Sequence, residues 1–318
     1  MSSLRVCFIG IGSIAKRHIK NLHEICAEKG LAVKVDCVRR KGHSCEPGAD
    51  LSGLINAVYY NFEEMPQDYD IIFITNPTSL HLETLKSVRD KSKHFFIEKP
   101  VSDETFEENE IERLCLSPEQ IIYVACPLRY HLVIQYLKRN MDLSKVFSIR
   151  CISSSYLPDW RAKTDYRKTY SARRALGGGV AIDLIHEWDY ITYLFGFPRK
   201  VKSFREKVSN LEIDTDDIAL YIAKYENMTA ELHLDYFGRK PIRELQLFME
   251  NDTLICDLLS CSIYFKNAGK TVSFRESRND FQKREMDHFL NQILKKQSSE
   301  NDLEHAFKVL KLAKGDMG

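Results

Sequence analysis

The chain has 318 residues, more than one hydrophobic core usually fills, so two domains are expected. Its apolar fraction of 44% and charged fraction of 29% are ordinary for a soluble globular protein. The formal net charge of +1 provides no global field to recruit nucleic acid or an anionic membrane, so neither partner is expected.

The first third of the chain alternates short apolar segments with helical patterns. The helix predicted at 14–29 carries Ile19, Leu22 and Ile25 on one face. Continuous apolar strands separated by helices are typical of a parallel sheet covered on both faces, which is the doubly wound α/β class. The predicted strands are 4–9, 33–38, 71–75, 94–97 and 121–125, with further helices at 79–90 and 105–114.

After about residue 127 the pattern changes to alternating segments typical of β-strands. Turn pairs such as Glu226-Asn227 separate several of them and indicate hairpins. A Rossmann domain over 1–126 and an α+β domain with a mostly antiparallel sheet over 127–318 are therefore predicted. The strands of this second domain are predicted at 201–208, 218–225, 229–236, 243–249, 253–257 and 262–265, with helices at 132–140, 181–195, 281–296 and 303–313.

The nine cysteines are scattered, and none forms a Cys-x-x-Cys pair, so no metal site or dithiol centre is predicted. Several lie in apolar, strand-like runs, where a reduced thiol packs as a small hydrophobe. The apolar run Val6–Ile11 is too short for the core of a signal peptide, and no segment approaches the roughly 20 apolar residues of a membrane span. A cytoplasmic protein is expected.

A glycine-rich turn follows the first predicted strand and opens a helix, reading Gly-Ile-Gly-Ser-Ile-Ala. In that context it is a dinucleotide-binding turn, with the phosphates held by free N–H groups and the positive helix end. Gly10 permits the tight turn, Gly12 lets a pyrophosphate approach the backbone, and Ala15 lets helix and strand pack closely. Ser13 and Ile14 complete the predicted cofactor site. A glycine turn in a flavodoxin-like domain is the alternative.

The end of the second predicted strand bears on the choice between NAD and NADP. A typical NAD site has an acidic residue there that binds the ribose diol, but Asp36 lies two residues too early. Arg39 and Arg40 follow the strand instead, and a guanidinium favours bidentate contacts to a 2′-phosphate. The predicted cofactor is NAD(P), with NADP favoured, unless both arginines are solvated loop residues.

Three further motifs complete the pattern. One predicted strand ends in Thr-Asn-Pro, and the next ends in Glu-Lys-Pro. Much later, three consecutive glycines precede Asp183, His186 and Asp189. Together with the N-terminal glycine turn, these motifs resemble the Gfo/Idh/MocA family of glucose–fructose oxidoreductase and inositol dehydrogenase. The resemblance covers nearly the whole chain, with the motifs in the family's order.

The resemblance implies a Rossmann domain followed by an α/β domain whose open sheet often builds the oligomer interface, and hence a homodimer or homotetramer. It also implies that Lys99 lies near the nicotinamide ring, with Asp183 and His186 approaching the substrate from the second domain. The further predicted cofactor contacts are Thr75, Asn76, Pro77, His81, Glu98 and Lys99, with a structural role as the alternative for His81.

Those residue types suit the oxidation of a secondary alcohol. Histidine is the usual acceptor of the hydroxyl proton, and a lysine ammonium stabilises developing alkoxide charge. Asp183 would orient His186 or bind a neighbouring hydroxyl. Residues three apart share a helix face, so Asp183, His186 and Asp189 are predicted to form one polar stripe. In many family members this aspartate lies four residues before the histidine, whereas here it lies three residues before it. The alternatives are a structural helix histidine and a surface lysine.

The loop 156–179 is rich in tyrosine and arginine. Aromatic faces suit a sugar or a base, and arginines suit phosphate or carboxylate. This loop and the stretch 235–241 look like family members associated with bacterial surface-sugar biosynthesis, so a nucleotide sugar or acidic sugar is the predicted substrate. A dimer arm is the alternative. The predicted substrate-binding residues are Arg129, Tyr156, Trp160, Arg161, Tyr166, Asp183, His186 and Tyr236.

The leading hypothesis for function is therefore a sugar dehydrogenase or ketoreductase. A second is a glycosidase that uses bound NAD to oxidise, eliminate and re-reduce its substrate. A third is a non-catalytic nucleotide-binding assembly subunit, although a pure binder has no need of Lys99, Asp183 and His186 together.

Overall fold

The computed structural model describes most of the chain, and all statements below concern those residues. They are 3–39, 51–105, 111–114, 116–161 and 164–315.

The chain divides into two compact units, and the first of them is built from two separate stretches. It comprises Met1–Ala125 together with Gln282–Phe307. The second unit comprises Cys126–Phe281 and Lys308–Gly318. The second domain predicted at 127–318 therefore differs from the second unit, because residues 282–307 group with the first.

The sheet of the first unit has six parallel strands in the order β3-β2-β1-β4-β5-β6. This is the strand order of the Rossmann fold, so the predicted α/β class is confirmed. The strands are β1 (Leu4–Ile9), β2 (Val33–Val38), β3 (Ala57–Tyr59), β4 (Tyr69–Ile74), β5 (Ser92–Ile97) and β6 (Ile121–Val124). The helices along them are α1 (Ser13–Glu28) and α2 (His81–Val88).

An aromatic cluster explains why the late stretch joins this unit. Phe73, Phe96 and Tyr123 come from three neighbouring strands, and successive rings lie 5.0 and 5.2 Å apart. Phe289 lies 5.3 Å from the rings of both Phe96 and Tyr123 and is fully buried. Burying one such side chain contributes roughly 1.5–3 kcal/mol, so the sheet gains a substantial part of its core from the end of the chain.

The sheet of the second unit has eight strands in the order β14-β13-β12-β11-β7-β10-β9-β8. All neighbours are antiparallel except β7 and β10, so the prediction of a mostly antiparallel sheet is confirmed. The strands are β7 (Val146–Tyr156), β8 (Lys200–Glu206), β9 (Ile218–Lys224), β10 (Thr229–Asp235), β11 (Phe237–Met249), β12 (Thr253–Asp257), β13 (Ser262–Phe265) and β14 (Lys270–Ser273).

One face of this sheet is packed and the other carries exposed side chains. On the packed face, the Tyr221 hydroxyl donates to the carbonyl of Ala313 over 2.5 Å, and the thiol of Cys151 lies 3.1 Å from the hydroxyl of Tyr190. On the other face, Ile222 is 66% exposed. The helices of the second half of the chain are α3 (Leu132–Asn140), α4 (Val180–Asp183), α5 (His186–Phe195), α6 (Arg278–Lys295) and α7 (Leu303–Lys314).

Among the described residues, no helix is both long enough and apolar enough to cross a membrane. The seven cysteines of the described chain are all buried.

Candidate active site

The glycine turn of the first unit shows two different reasons for glycine. Gly10 has φ +92°, and a Cβ there would lie 2.8 Å from the backbone of Asn76, so no side chain fits between the ends of β1 and β4. Gly12 has an ordinary φ of −87°, and a Cβ there would meet nothing within 4 Å. The protein itself therefore does not require glycine at position 12, and the open space beside it is where a ligand would approach the backbone.

The N-terminus of α1 has the chemistry of a phosphate site. Gly12 provides no side-chain cap to the first helical N–H groups, and the first turn contains no acidic residue. Gly12 and Ser13 are exposed, Ile14 is half-buried, and Ala15 is fully buried against the sheet. Orphan N–H groups at the positive end of a 16-residue helix attract an anion, so these residues fit the pyrophosphate of a dinucleotide.

The end of β2 offers a guanidinium where a carboxylate is common. Asp36 is buried and accepts hydrogen bonds from Tyr69 over 2.8 Å and from Asn56 over 3.1 Å, so its carboxylate is engaged within the protein. Arg39 follows the strand and is half-buried, with its backbone N–H bonded to the carbonyl of Tyr59. Arg40, the other predicted contact, lies outside the described residues.

The end of β4 is fixed against the glycine turn. The Thr75 hydroxyl is within hydrogen-bonding distance of the carbonyls of Ile9 and Gly10, at 3.1 and 2.8 Å. The Asn76 amide donates to the Thr84 hydroxyl over 2.7 Å, and its buried Oδ1 has no partner among the described residues. Pro77 is exposed. An acceptor left open beside the glycine turn suits a hydroxyl donor on a bound ribose.

Both ring nitrogens of His81 are engaged within the protein, which favours the structural alternative given for this residue. It is buried, with Nδ1 2.9 Å from the carbonyl of Pro100 and Nε2 2.9 Å from that of Asn76. Burial lowers the pKa of His81 although two acceptors face it, so the neutral ring donates to one carbonyl at a time. The imidazole thus ties the ends of β4 and β5 together instead of reaching a ligand.

The Glu-Lys-Pro segment follows β5, where its carboxylate turns inward. Oε1 of Glu98 lies 2.6 Å from Nε2 of His18, a buried residue of α1. Lys99 is half-buried at the same strand end. Glu98, a predicted cofactor contact, is thus hydrogen-bonded to a residue of the protein itself. His18, its partner, was not predicted from the sequence. Its signal is a polar side chain one turn after Ala15 on the buried face of α1.

In the second unit, the buried Asp183 interacts with the hydroxyls of two tyrosines, the buried Tyr236 and the partly exposed Tyr170. The Tyr236 hydroxyl donates to its Oδ2 over 2.5 Å. Burial and the neighbouring Asp183 carboxylate raise the pKa values of Tyr236 and Tyr170 well above the usual range. Both tyrosines therefore keep their protons at neutral pH and act as donors. Tyr170 was noticed only as part of the loop, and the structure brings it to the predicted catalytic aspartate.

The three glycines before Asp183 are required by close backbone packing. Gly177 has φ +78° at the end of a short turn. A Cβ on Gly178 would overlap the carbonyl of Tyr170. On Gly179, which has φ +133°, it would lie 2.6 Å from the Asp216 carboxylate, which accepts the N–H of Ala181. Because these positions have no side chains, the loop that carries Tyr170 can pack directly against the start of α4.

The predicted polar stripe from Asp183 to Asp189 does not form. Helix α4 ends at Asp183 and α5 begins at His186, because Leu184 leaves the helical conformation with φ −95° and ψ +27°. His186 is half-buried at the first position of α5. Asp189 points elsewhere, since its two oxygens accept from Nε and Nη2 of Arg129 over 3.0 and 2.7 Å.

That ion pair also corrects the prediction for Arg129. Its guanidinium is buried, bidentate on Asp189 and 5.3 Å from the ring of Tyr193. Buried charges persist when they are paired in this way. Arg129 therefore anchors helix α5 through Asp189.

The remaining loop residues fall into two groups. Trp160 packs edge-on against Tyr236 at 5.3 Å, and the exposed Arg161 acts electrostatically on the Tyr170 hydroxyl, so both belong to the surroundings of Asp183. The hydroxyl of Tyr166 instead accepts the N–H of Glu212 over 3.2 Å. Tyr156 lies under the guanidinium of Arg239, 3.8 Å from the ring centroid. A carboxylate flanked by aromatic rings and arginines has the chemistry to accept hydrogen bonds from the hydroxyls of a polyol.

A separate cluster of possible metal ligands, His131, Cys261 and Glu276, has a capping function. Nδ1 of His131 accepts the N–H of Val133 over 3.2 Å, and Oε1 of Glu276 accepts that of Leu132 over 3.0 Å. His131 must therefore carry its proton on Nε2, the nitrogen that faces Cys261. Since a metal needs that lone pair, the cluster serves to cap helix α3.

Comparison with known families matches both halves of the chain. Residues 4–142 match the oxidoreductase family with an NAD-binding Rossmann fold, and residues 134–255 match the GFO/IDH/MocA C-terminal domain. A D-xylose dehydrogenase of Paenarthrobacter nicotinovorans is 29% identical over 143 residues, which is 44% of this chain and 36% of the relative. The matches to the curated relatives span between 36% and 52% of those proteins.

Two solved structures share the fold over almost the full length. A levoglucosan dehydrogenase in complex with NADH has a TM-score of 0.83 and 15% identity, covering 99% of this chain and 96% of the other. UDP-N-acetylglucosamine 3-dehydrogenase GnnA of Acidithiobacillus ferrooxidans has a TM-score of 0.76 and 20% identity, covering 99% and 96%. At these identities the likeness establishes the fold alone.

Proposed function

Because the chain belongs to the Gfo/Idh/MocA oxidoreductase family, we propose that it transfers a hydride between a nicotinamide dinucleotide and a secondary hydroxyl or keto group of a sugar. The observation that carries the redox assignment is Gly12. Its Cβ position opens on empty space at the uncapped start of α1, which a dinucleotide pyrophosphate would occupy.

Lys99, His186 and Asp183 have separate roles in the proposed reaction. When bound, the nicotinamide accepts or returns a hydride at its C4 atom. Lys99 supplies an ammonium that stabilises negative charge on the reacting oxygen, and His186 takes up or returns the hydroxyl proton. Asp183, held by Tyr236 and Tyr170, accepts a hydrogen bond from a sugar hydroxyl and so fixes the ring that carries the reacting carbon.

The substrate we propose is a nucleotide sugar or an acidic sugar. Support comes from Arg161, exposed beside the Asp183 cluster, and from Arg239 stacked over Tyr156, because guanidinium groups bind phosphate and carboxylate bidentately. Trp160 adds an aromatic surface for a sugar ring or a base. The similar fold of a UDP-N-acetylglucosamine dehydrogenase is consistent with this choice.

The cofactor we propose is NADP in preference to NAD. Asp36 is engaged by Tyr69 and Asn56 and is not available to a ribose diol, whereas Arg39 follows β2 with a charge that suits a 2′-phosphate.

A homodimer or homotetramer that uses the exposed face of the second sheet is also proposed. Ile222, Phe204 and Tyr264 are among the large apolar side chains exposed there, and such a surface is stabilised by burial against a second copy. The seven buried thiols support a cytoplasmic location.

Native mass spectrometry followed by a turnover assay tests the proposal. We expect a co-purified or readily bound nicotinamide dinucleotide, and NAD(P)H formation with a panel of nucleotide sugars and uronic acids. A chain that binds neither NADH nor NADPH would overturn it. Cleavage of a glycoside with no net change in bound NAD would favour the redox-assisted glycosidase instead.

A further inference from the structure

The buried His18 and the half-buried Glu98 connect the helix of the nucleotide site to the backbone of Lys99. His18 is 1% exposed and holds Oε1 of Glu98 through Nε2. The other oxygen, Oε2, accepts the backbone N–H of Lys99 over 3.2 Å. The carboxylate is therefore fixed at both oxygens, one by helix α1 and one by the residue whose side chain we assign to the reaction.

The surroundings of His18 determine where its proton lies. Nδ1 has no hydrogen-bond partner in the described part of the chain, and the rings of Phe96 and Phe73 lie 5.2 and 6.2 Å from the imidazole. An imidazolium would bury a charged N–H without an acceptor, which is costly in an apolar environment. The geometry favours a neutral ring that donates its Nε2 hydrogen to an ionised Glu98.

The charges around Glu98 act in the same direction. Burial alone would raise the pKa of Glu98, but the hydrogen bond from His18 and the charge of Lys99 outweigh it and lower the pKa below its ordinary value. A carboxylate that stays ionised beside Lys99 stabilises the protonated form of that lysine.

We propose that His18 and Glu98 are positioning residues that orient Lys99 and keep its side chain protonated. The role of Lys99 in turnover rests on the proposed function, whereas the pair itself does not. Neither residue needs to touch the sugar. Their effect is to supply a preorganised ammonium, which lowers the barrier only if it is already in position when charge develops on the substrate oxygen.

Two variants separate hydrogen bonding from packing. His18→Phe keeps an aromatic ring among Phe73 and Phe96 but removes the donor, and we expect kcat to fall about tenfold, the size of one charge-assisted hydrogen bond. The KM for sugar and the Kd for NADPH should stay within about twofold, because the His18 side chain is buried within the protein. His18→Gln restores an N–H donor and should recover most of kcat.

A change in packing alone would not shift the pH dependence of kcat, so this profile separates the two explanations. Without its donor, Glu98 takes up a proton at higher pH, so the acid limb of the kcat profile of His18→Phe should shift upward. His23→Gln is the matched control, since His23 lies on the same helix but contacts the carbonyl of Leu54. A His18→Phe variant with wild-type kcat and pH profile, or equal losses in the Phe and Gln variants, would overturn the proposal.

Trace acetylation of lysines tests the pair without any turnover. Acetic anhydride reacts with the neutral amine, so the extent of Lys99 acetylation against pH, read by peptide mass spectrometry, reports its protonation. We expect Lys99 of Glu98→Gln and of His18→Phe to react at lower pH than in the wild type, with Lys93 of strand β5 unchanged as internal reference.

The two tests fail in different ways. If the wild type turned over no sugar, the proposed function would fail, while an acetylation shift in both variants would still support the pair. If Lys99 acetylated with the wild-type profile in both variants, the pair would be overturned even in an active enzyme.

Discussion

The hydroxyl of Tyr236 lies 2.5 Å from Oδ2 of Asp183, and both groups are buried in the second unit. The residues are 53 positions apart, one at the end of a four-residue helix and the other between two strands. Because the tyrosine keeps its proton, the bond has a fixed direction, from phenol to carboxylate. Asp183 is thus held as an oriented acceptor before any substrate arrives.

Removing that hydroxyl should reduce turnover more than stability. For Tyr236→Phe we expect kcat/KM to fall roughly 10- to 100-fold, because Asp183 loses a charge-assisted donor worth about 1.5–3 kcal/mol. Steady-state kinetics would measure the effect. Tyr225→Phe is the matched control, since the buried Tyr225 hydroxyl has no partner among the described residues and its removal should leave kcat/KM unchanged. Equal losses in the two variants would contradict the role given to Asp183.

The two glycines of the nucleotide turn should respond differently to alanine. Gly10→Ala forces a Cβ to within 2.8 Å of the Asn76 backbone at a positive φ, so we expect a loss of about 1–3 kcal/mol in the free energy of unfolding. Gly12→Ala meets no protein atom and should fold normally, but its methyl group would obstruct a pyrophosphate. Urea unfolding and NADPH titration together separate the effects. Wild-type NADPH affinity in Gly12→Ala would contradict the phosphate assignment.

Lys99 and Lys93 provide a matched pair for the reaction itself. Lys99→Ala should lower kcat by at least about 100-fold while NADPH binding persists, because the ammonium acts on developing charge more than on the bound ground state. Lys93 lies on strand β5 and pairs with Asp70, so Lys93→Ala should retain wild-type kcat. Retention of turnover by Lys99→Ala would mean that another group stabilises the alkoxide.

Asp235, the residue before Tyr236, should make stability depend on acid. Burial alone would raise its pKa, but hydrogen bonds from His233, Ser154 and the N–H groups of Phe237 and Gly238 lower it below the ordinary 3.8. A lowered native pKa means that this carboxylate stabilises the fold above pH 3.8 and that the contribution disappears as the pH falls through the native value.

The Asp235→Asn variant tests this dependence. It should unfold at lower urea concentration than the wild type at pH 7, with the difference shrinking toward pH 3. Asp90→Asn, at an exposed position, should match the wild type at both pH values. A difference between Asp235→Asn and the wild type that is independent of pH would indicate a packing effect instead.

The exposed sheet face yields a prediction about assembly. Ile222 projects from β9 with 66% of its surface exposed, and its neighbours across the sheet are Lys202 and Glu231. If copies associate through this face, Ile222→Asp buries a carboxylate in the interface and should shift light-scattering mass toward the monomer. Asn140→Asp, at an exposed position at the end of helix α3, is a control for added charge alone. An unchanged mass for Ile222→Asp would exclude this face as the interface.

The strands that could be predicted from the sequence are those whose own residues form a continuous apolar run. The apolar runs of β1 and β2 predicted both strands with their observed limits. Strand β7 was missed although it lies between β10 and β11, because its last residues are three serines before Tyr156. Ser153 and Ser154 are buried there, and Ser154 bonds to Asp235, so neighbours outside the local sequence stabilise that strand.

The same distinction applies to the candidate site. The order of the motifs identified Lys99, Asp183 and His186 as candidate site residues. The residues that pair with charged side chains in the structure, however, lie far from them in the sequence. Arg129 and Asp189 are 60 residues apart, and His18 and Glu98 are 80 apart. A helical spacing rule cannot detect such pairs, and it wrongly joined Asp189 to Asp183 across the break at Leu184.

The late contribution of Phe289 has a consequence for synthesis on the ribosome. When residues 1–125 have emerged, the rings of Phe96 and Tyr123 still lack the one that lies 5.3 Å from both, and Tyr123 lacks the Glu285 carboxylate that accepts its hydroxyl over 3.3 Å. The backbone N–H of Val124 likewise lacks its hydrogen-bond acceptor, the carbonyl of Asn301, until that residue has been synthesised. The nucleotide-binding unit therefore completes its core only after nearly the whole chain has been translated, and an excised N-terminal fragment would expose that aromatic surface to aggregation.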